Sequence, residues 1–238
     1  MVVAGDTMGL DWNPLARPKA GEEAEFEHLF NDLKSEQTSR GAGLLGRLLG
    51  PRSLTKVEQE ARLKRFQAIS EAPFVTLGAP RVGIDPAADA WLHGKLQANG
   101  KLADLDQARQ EMHGYYVLDL LPPCDGFPPY SNYGAYQGVD RYSFRGQFLD
   151  DTKHIIGPAL HEQAWNRMLA RELEAYAAAL EAAVRPWAER AGVAQVERAI
   201  EAPPFGEGDP ASQAHILFSA VRWCRFWASR GHGLEPWF

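Results

Sequence analysis

The stretch QAHILFSAVRWCRFWASRG, residues 213–231, decides the fold. Ile216, Leu217, Phe218, Val221, Trp223, Cys224, Phe226 and Trp227 occupy most of the circumference of a helix, and a helix that is apolar nearly all round is buried. Asp209 and Pro210 ahead of it form the preferred pair for an N-cap and a first helical residue, and Gly231 supplies its stop. The stretch therefore predicts a central helix with Cys224 as a core residue and the tail HGLEPWF folded back on the body.

Upstream, Leu160, Ala164, Trp165, Met168, Leu169, Leu173, Tyr176, Leu180 and Val184 recur at helical spacing, which predicts one helix of about seven turns that Pro186 ends or kinks. Arg171 with Glu174, and Glu181 with Arg185, are favourable neighbours on its outer side. Nearer the N-terminus, Phe26, Leu29, Phe30 and Leu33 share one side of a helix that begins near Gly21. Thr55 with Glu58 fits a capping box, opening a charged surface helix whose narrow apolar stripe is Val57, Leu63, Phe66 and Ile69. Asp85 and Pro86 start a further helix that Asn99 and Gly100 stop, and Leu105, Ala108 and Met112 mark another.

Three short segments read as extended: residues 10–12, 74–77 and 115–121, the last (YYVLDLL) being rich in aromatic and β-branched residues. The sequence thus predicts a mainly α protein, α+β only through a minor sheet, folded as a helical bundle-like single domain over residues 1–238 around the buried C-terminal helix. Residues 39–53, SRGAGLLGRLLGPRS, interrupt the helical pattern and read as a flexible linker. No internal repeat or heptad run occurs.

Composition sets the limits on function. With 45% hydrophobic and 24% charged residues the 238-residue chain has the balance of an ordinary soluble globular protein. Its 25 Lys and Arg are dispersed among 31 acids for a formal charge of −6, without the basic stripe that nucleic-acid binding requires, so no nucleic-acid partner is expected. The two cysteines, Cys124 and Cys224, stand a hundred positions apart and make no disulfide framework or metal knuckle. The N-terminus shows no basic region followed by an apolar run, and no stretch reaches the roughly 20 apolar residues of a membrane span. A cytoplasmic location is therefore expected.

Function is expected in residues 120–151, LLPPCDGFPPYSNYGAYQGVDRYSFRGQFLDD, which hold seven aromatics, four prolines and four glycines. Helices avoid that mixture, so the segment reads as a long ordered loop, and such loops commonly carry binding or catalysis. Tyr130, Asn132, Tyr133 and Tyr136 are its candidate contact residues, because tyrosine joins a large rigid area to a polar tip. Arg141 offers a guanidinium fork for a carboxylate or phosphate. Phe144 and Phe148, four residues apart, read as anchors to the helices.

Candidate catalytic residues are Asp119, Cys124, Asp125, Arg145 and His154. Cys124 has potential bases in His113, His154 and His161, yet the adjacent carboxylate of Asp125 opposes the thiolate that nucleophilic attack needs. Asp119, Asp150, Asp151, His154, His161 and Glu162 are metal-ligating types, but Gly157 and Pro158 interrupt their spacing and no HExxH, CxxC pair or calcium loop occurs. No metal or other cofactor is expected, and no nucleotide-binding or serine-hydrolase motif is present. Two classes stay open. One is a partner-binding module that uses the aromatic-rich loop on a protein or small molecule. The other is a small-molecule enzyme of hydrolase or transferase type, with a carboxylate, Arg and His pocket under residues 120–151.

Overall fold

The computed structural model describes residues 9–41, 55–121, 142–204, 206 and 208–237. Among them the chain forms eight helices: α1 (Glu23–Gly41), α2 (Lys56–Ala68), α3 (Pro73–Thr76), α4 (Pro86–Ala98), α5 (Leu105–Glu111), α6 (Lys153–Gln163), α7 (Ala170–Arg190) and α8 (Pro210–Ala228). Two antiparallel two-stranded sheets accompany them, β1 (Asp11–Leu15) with β4 (Gly233–Trp237) and β2 (Arg17–Pro18) with β3 (Ser70–Glu71). The fold is mainly α with a minor sheet, as the sequence predicts. Most of the 39–53 linker lies outside the described residues.

The central position of α8 is borne out. Trp223, Cys224 and Trp227 are fully buried, as are Ala214, Leu217 and Ala220 on other faces. Asp209 caps it, its Oδ2 accepting from the Ser212 amide at 2.9 Å, with Pro210 in the first turn. Against it lies α7, whose buried residues Leu173, Tyr176, Ala177, Leu180, Val184 and Ala188 fall three or four apart along one stripe. Glu181 of α7 pairs with Arg185 on the same helix at 2.7 Å and with Arg225 of α8 at 2.6 Å. Arg171 instead reaches Glu27 of α1, while Glu174 faces Arg225 at 3.7 Å.

Five local expectations are corrected. The seven-turn helix is two helices, because residues 164–169 leave the helical path to pair with the tail: Leu234 N–H donates to the Met168 carbonyl at 2.8 Å, and Met168 N–H returns to Leu234 at 3.1 Å. Ala164, Met168 and Leu169 remain buried, which is why the apolar periodicity runs across the break. Within α6 the backbone also turns at Gly157 (φ 77°), a conformation that glycine adopts without a Cβ clash. Pro186 does not end α7, which continues to Arg190 with Val184 and Ala188 held in the core.

Residues 74–77 are not extended: Pro73 starts α3, and the Thr76 hydroxyl lies 2.7 Å from the Pro73 carbonyl. Residues 115–121 form only an isolated bridge, Arg81 with Tyr116, followed by a 3₁₀ turn at Leu118–Leu120. The facing segment explains this, since Pro80 has no amide to extend a ladder beyond the Val117 N–H bond to its carbonyl (2.8 Å). The stripe on α2 is shallower than its spacing implies. Val57 is 74% exposed and α2 has no buried residue, although Phe66 stacks on Phe26 at 4.6 Å and Ile69, just past its end, is buried. The capping box of Thr55 and Glu58 forms as predicted.

The predicted strand at residues 10–12 becomes β1, and its partner is the tail. Asp11 pairs with Trp237 and Leu15 with Gly233, while the other edge of β1 bonds Trp12 to Phe144 in both directions, at 2.7 and 2.9 Å. A Cβ placed on Gly233 would stand 2.0 Å from the Met168 carbonyl oxygen, so β4 can approach residues 164–169 only through glycine. Gly233→Ala is expected to destabilise the protein by about 3 kcal/mol in urea denaturation, since backbone must move. Gly94→Ala, inside α4 where a Cβ meets nothing within 4 Å, is expected to stabilise by about 0.5–1 kcal/mol in the same measurement.

Candidate functional site

The chain just ahead of the aromatic-rich segment and the described start of its second half both rest on one ring, Phe74 of α3. Its centroid lies 5.4 Å from Tyr116, ahead of the segment, and 5.8 Å from Tyr142, within its second half. Arg81 covers the Tyr116 ring at 5.4 Å, a cation over an aromatic face. Tyr142 meets Trp227 edge-on at 5.9 Å, so the seat is continuous with the face of α8.

From Tyr142 onward the chain is fastened at nearly every step. The Trp223 indole donates to the Tyr142 carbonyl at 2.6 Å, and Phe144 is buried against Trp12 with ring centroids 5.0 Å apart. Leu149 is buried, the Thr152 hydroxyl donates to its carbonyl at 2.9 Å, and the Gln213 amide donates to the Asp151 carbonyl at 3.0 Å. Phe144 thus anchors the second half as predicted. The Phe148 side chain lies outside the described residues.

Of the predicted catalytic residues that are described, Asp119 and His154 engage separate helices. Asp119 faces α4, accepting from the Trp91 indole at 3.1 Å with Lys95 Nζ at 3.4 Å. His154 is exposed on α6, its ring edge-on to Trp187 of α7 at 6.3 Å. Arg145 is half-buried beside Phe144. Asp150 pairs with His161 at 2.6 Å. Cys124, Asp125, Tyr130, Asn132, Tyr133, Tyr136 and Arg141 lie outside the described residues. Among the described residues no three of His, Cys, Asp and Glu gather into a metal-holding group, and no helix is long and apolar enough to cross a membrane.

Cys224 carries no nucleophile. Burial pushes its thiol well above the ordinary value, so the reactive thiolate is disfavoured. Two buried histidines escape sequence reasoning. His215 is held near neutral form by burial and by Arg222, with its Nε2 3.1 Å from the Ala199 carbonyl. His232, in the turn between α8 and β4, is fully buried; its Nδ1 lies 2.9 Å from the Leu15 carbonyl and its Nε2 2.9 Å from the Thr76 hydroxyl. Burial is the main cause of its lowered pKa, about 4. Its partners are 217 and 156 residues away, so no spacing in the sequence signals it.

No family model, curated protein or solved structure matches the chain.

Because Phe74 joins both flanks, Phe74→Ala is expected to cost about 3 kcal/mol by chemical denaturation, the range for removing an aromatic ring that packs on two others. Asp119→Asn, which weakens a half-exposed ion pair to Lys95 and leaves an amide oxygen to accept from the Trp91 indole, is expected to change stability by about 0.5 kcal/mol or less.

Proposed function

We propose that the chain is a cytosolic partner-binding module in which the segment 120–151 meets a protein partner through Tyr130, Asn132, Tyr133, Tyr136 and Arg141. One observation carries this reading: Tyr116, just ahead of the segment, and Tyr142, within its second half, both pack on Phe74, so the stretch between them starts and ends at one seat. A segment whose ends share a rigid seat loses less freedom on binding than one with separated ends, which favours recognition. The Tyr142–Thr152 part is occupied in holding the segment to β1 and α8, leaving contact to the tyrosines before it.

The small-molecule enzyme reading has less support. Asp119 and His154 contact α4 and α7 respectively, and Asp150 is committed to His161. An acid, a base and an orienting group within hydrogen-bond reach are what catalysis of that kind requires.

The double substitution Tyr133→Ala and Tyr136→Ala tests the proposal. If these rings serve recognition, the thermal midpoint stays within about 1 °C of the parent while crosslinking through a photoreactive residue at Gln137 loses its discrete protein adduct. A fall of about 8 °C, as expected for truncation of buried rings, assigns them to the core and overturns the reading.

A further inference from the structure

We propose that His232 is a pH-sensitive latch, tying the turn after α8 to β1 and α3 while its ring is neutral and releasing α3 when the ring takes up a proton. The latch stands on geometry that is independent of the binding role proposed above. His232 is completely buried and lies edge-on to Trp227 with centroids 5.4 Å apart. Its two nitrogens reach two separate segments, the end of β1 at Leu15 and the end of α3 at Thr76.

The protons are fixed by the partners. A carbonyl only accepts, so Nδ1 carries hydrogen and donates to Leu15. In the neutral ring Nε2 is then an acceptor, and the Thr76 hydroxyl, with one proton to give, turns it toward His232 rather than toward the Pro73 carbonyl. In the protonated ring Nε2 donates to Thr76 and the hydroxyl turns back to Pro73. Hydrogen bonds can therefore be kept in both states, and what opposes the charge is its surroundings.

The charged groups that face the ring are Arg17 from β2, Glu71 from β3 and Arg230 from the turn after α8. Arg17 and Arg230 repel a second positive charge and Glu71 attracts it, but the Glu71 carboxylate already accepts from Arg17 Nε at 2.6 Å. No titratable side chain is contributed by α3 itself, whose sequence is PFVT. A buried imidazolium without its own counter-ion is relieved by exposure to water. The half-buried side, where Thr76 lies, offers the shorter route, and α3 is a helix of four residues.

The sign follows from the direction of the shift. The closed form holds the ring at about 4 against an ordinary value of 6.5, so it binds fewer protons than the open form between those values. The contribution of His232 to closure is fully present above pH 6.5 and is lost as pH falls toward 4, by roughly two orders of magnitude in the closing equilibrium. Because α3 carries Phe74, its release would also free the ring on which Tyr116 and Tyr142 rest.

Two measurements on the full-length chain test this. In the parent protein, amide exchange at Leu77 and Ala79, which bond within and just after α3, is expected to accelerate at least tenfold between pH 7 and pH 5 after correction for intrinsic chemistry, while Leu217 and Val221 of α8 stay protected. His232→Asn, which keeps an amide donor for Leu15 but cannot titrate in this range, is expected to abolish that acceleration, whereas His215→Asn retains it. Should the Asn variant not fold, the imidazole signal of His232 in the parent protein decides the matter. Titration near pH 4 to 5 together with α3-specific exchange supports the latch. Titration at 6.5 without change in exchange, or acceleration spread equally over α3 and α8, overturns it.

Discussion

A nineteen-residue helix that is apolar on almost every face must be covered on every face, and the rest of the structure is the cover for α8. Helix α7 supplies one side through a single buried stripe. The strand β1 supplies another, because Trp12 sits against Trp223 at 5.6 Å and against Tyr176 at 5.9 Å. The chain from Tyr142 to Thr152 closes a third, fastened through Trp223 and Gln213 of α8 itself. Arg222 and His215 hold the segment around Ala194–Arg198 on the remaining side through the carbonyls of Glu197 and Ala199.

Where polar atoms of this core find a partner, the bond fixes the path of the connectors. The Trp12 indole donates to the Ala164 carbonyl at 2.9 Å, so residues after α6 pass over it instead of continuing as helix. The Tyr176 hydroxyl donates to the Leu160 carbonyl at 3.0 Å, fixing α6 against α7. Arg167 Nε donates to Glu235 at 2.7 Å, so the same connector is tied to β4. Each bond is worth about 1 kcal/mol net, but leaving its buried partner unmade costs more, which makes these bonds directional constraints more than sources of stability.

Placement of the aromatic-rich segment follows from the same cover. Its second half is part of the wall around α8, and its first half follows the 3₁₀ turn at Leu118–Leu120, itself held to α4 through Asp119. The proposed binding role and the proposed latch meet at α3, a four-residue helix with Phe74 toward the segment and Thr76 toward His232. A short element that serves two contacts is a natural place for conformational coupling, since little packing has to be broken to move it.

The sequence by itself determined the mainly α class, the caps at Thr55 and Asp209, the burial of α8 with Cys224, and the anchoring role of Phe144, because capping and helical periodicity act within a few residues of the chain. Tertiary structure alone decided that the long helix divides at residues 164–169, that residues 74–77 are helical, that the tail is a strand paired with β1, and that His232 lies within hydrogen-bond distance of Thr76 at the end of α3. Those outcomes depend on backbone bonds and buried contacts between residues up to 217 positions apart. Local pattern has no term for them: Ala164, Met168 and Leu169 satisfy the helical period and the core equally well, and only the tail's unpaired amides settle which of the two backbones they adopt.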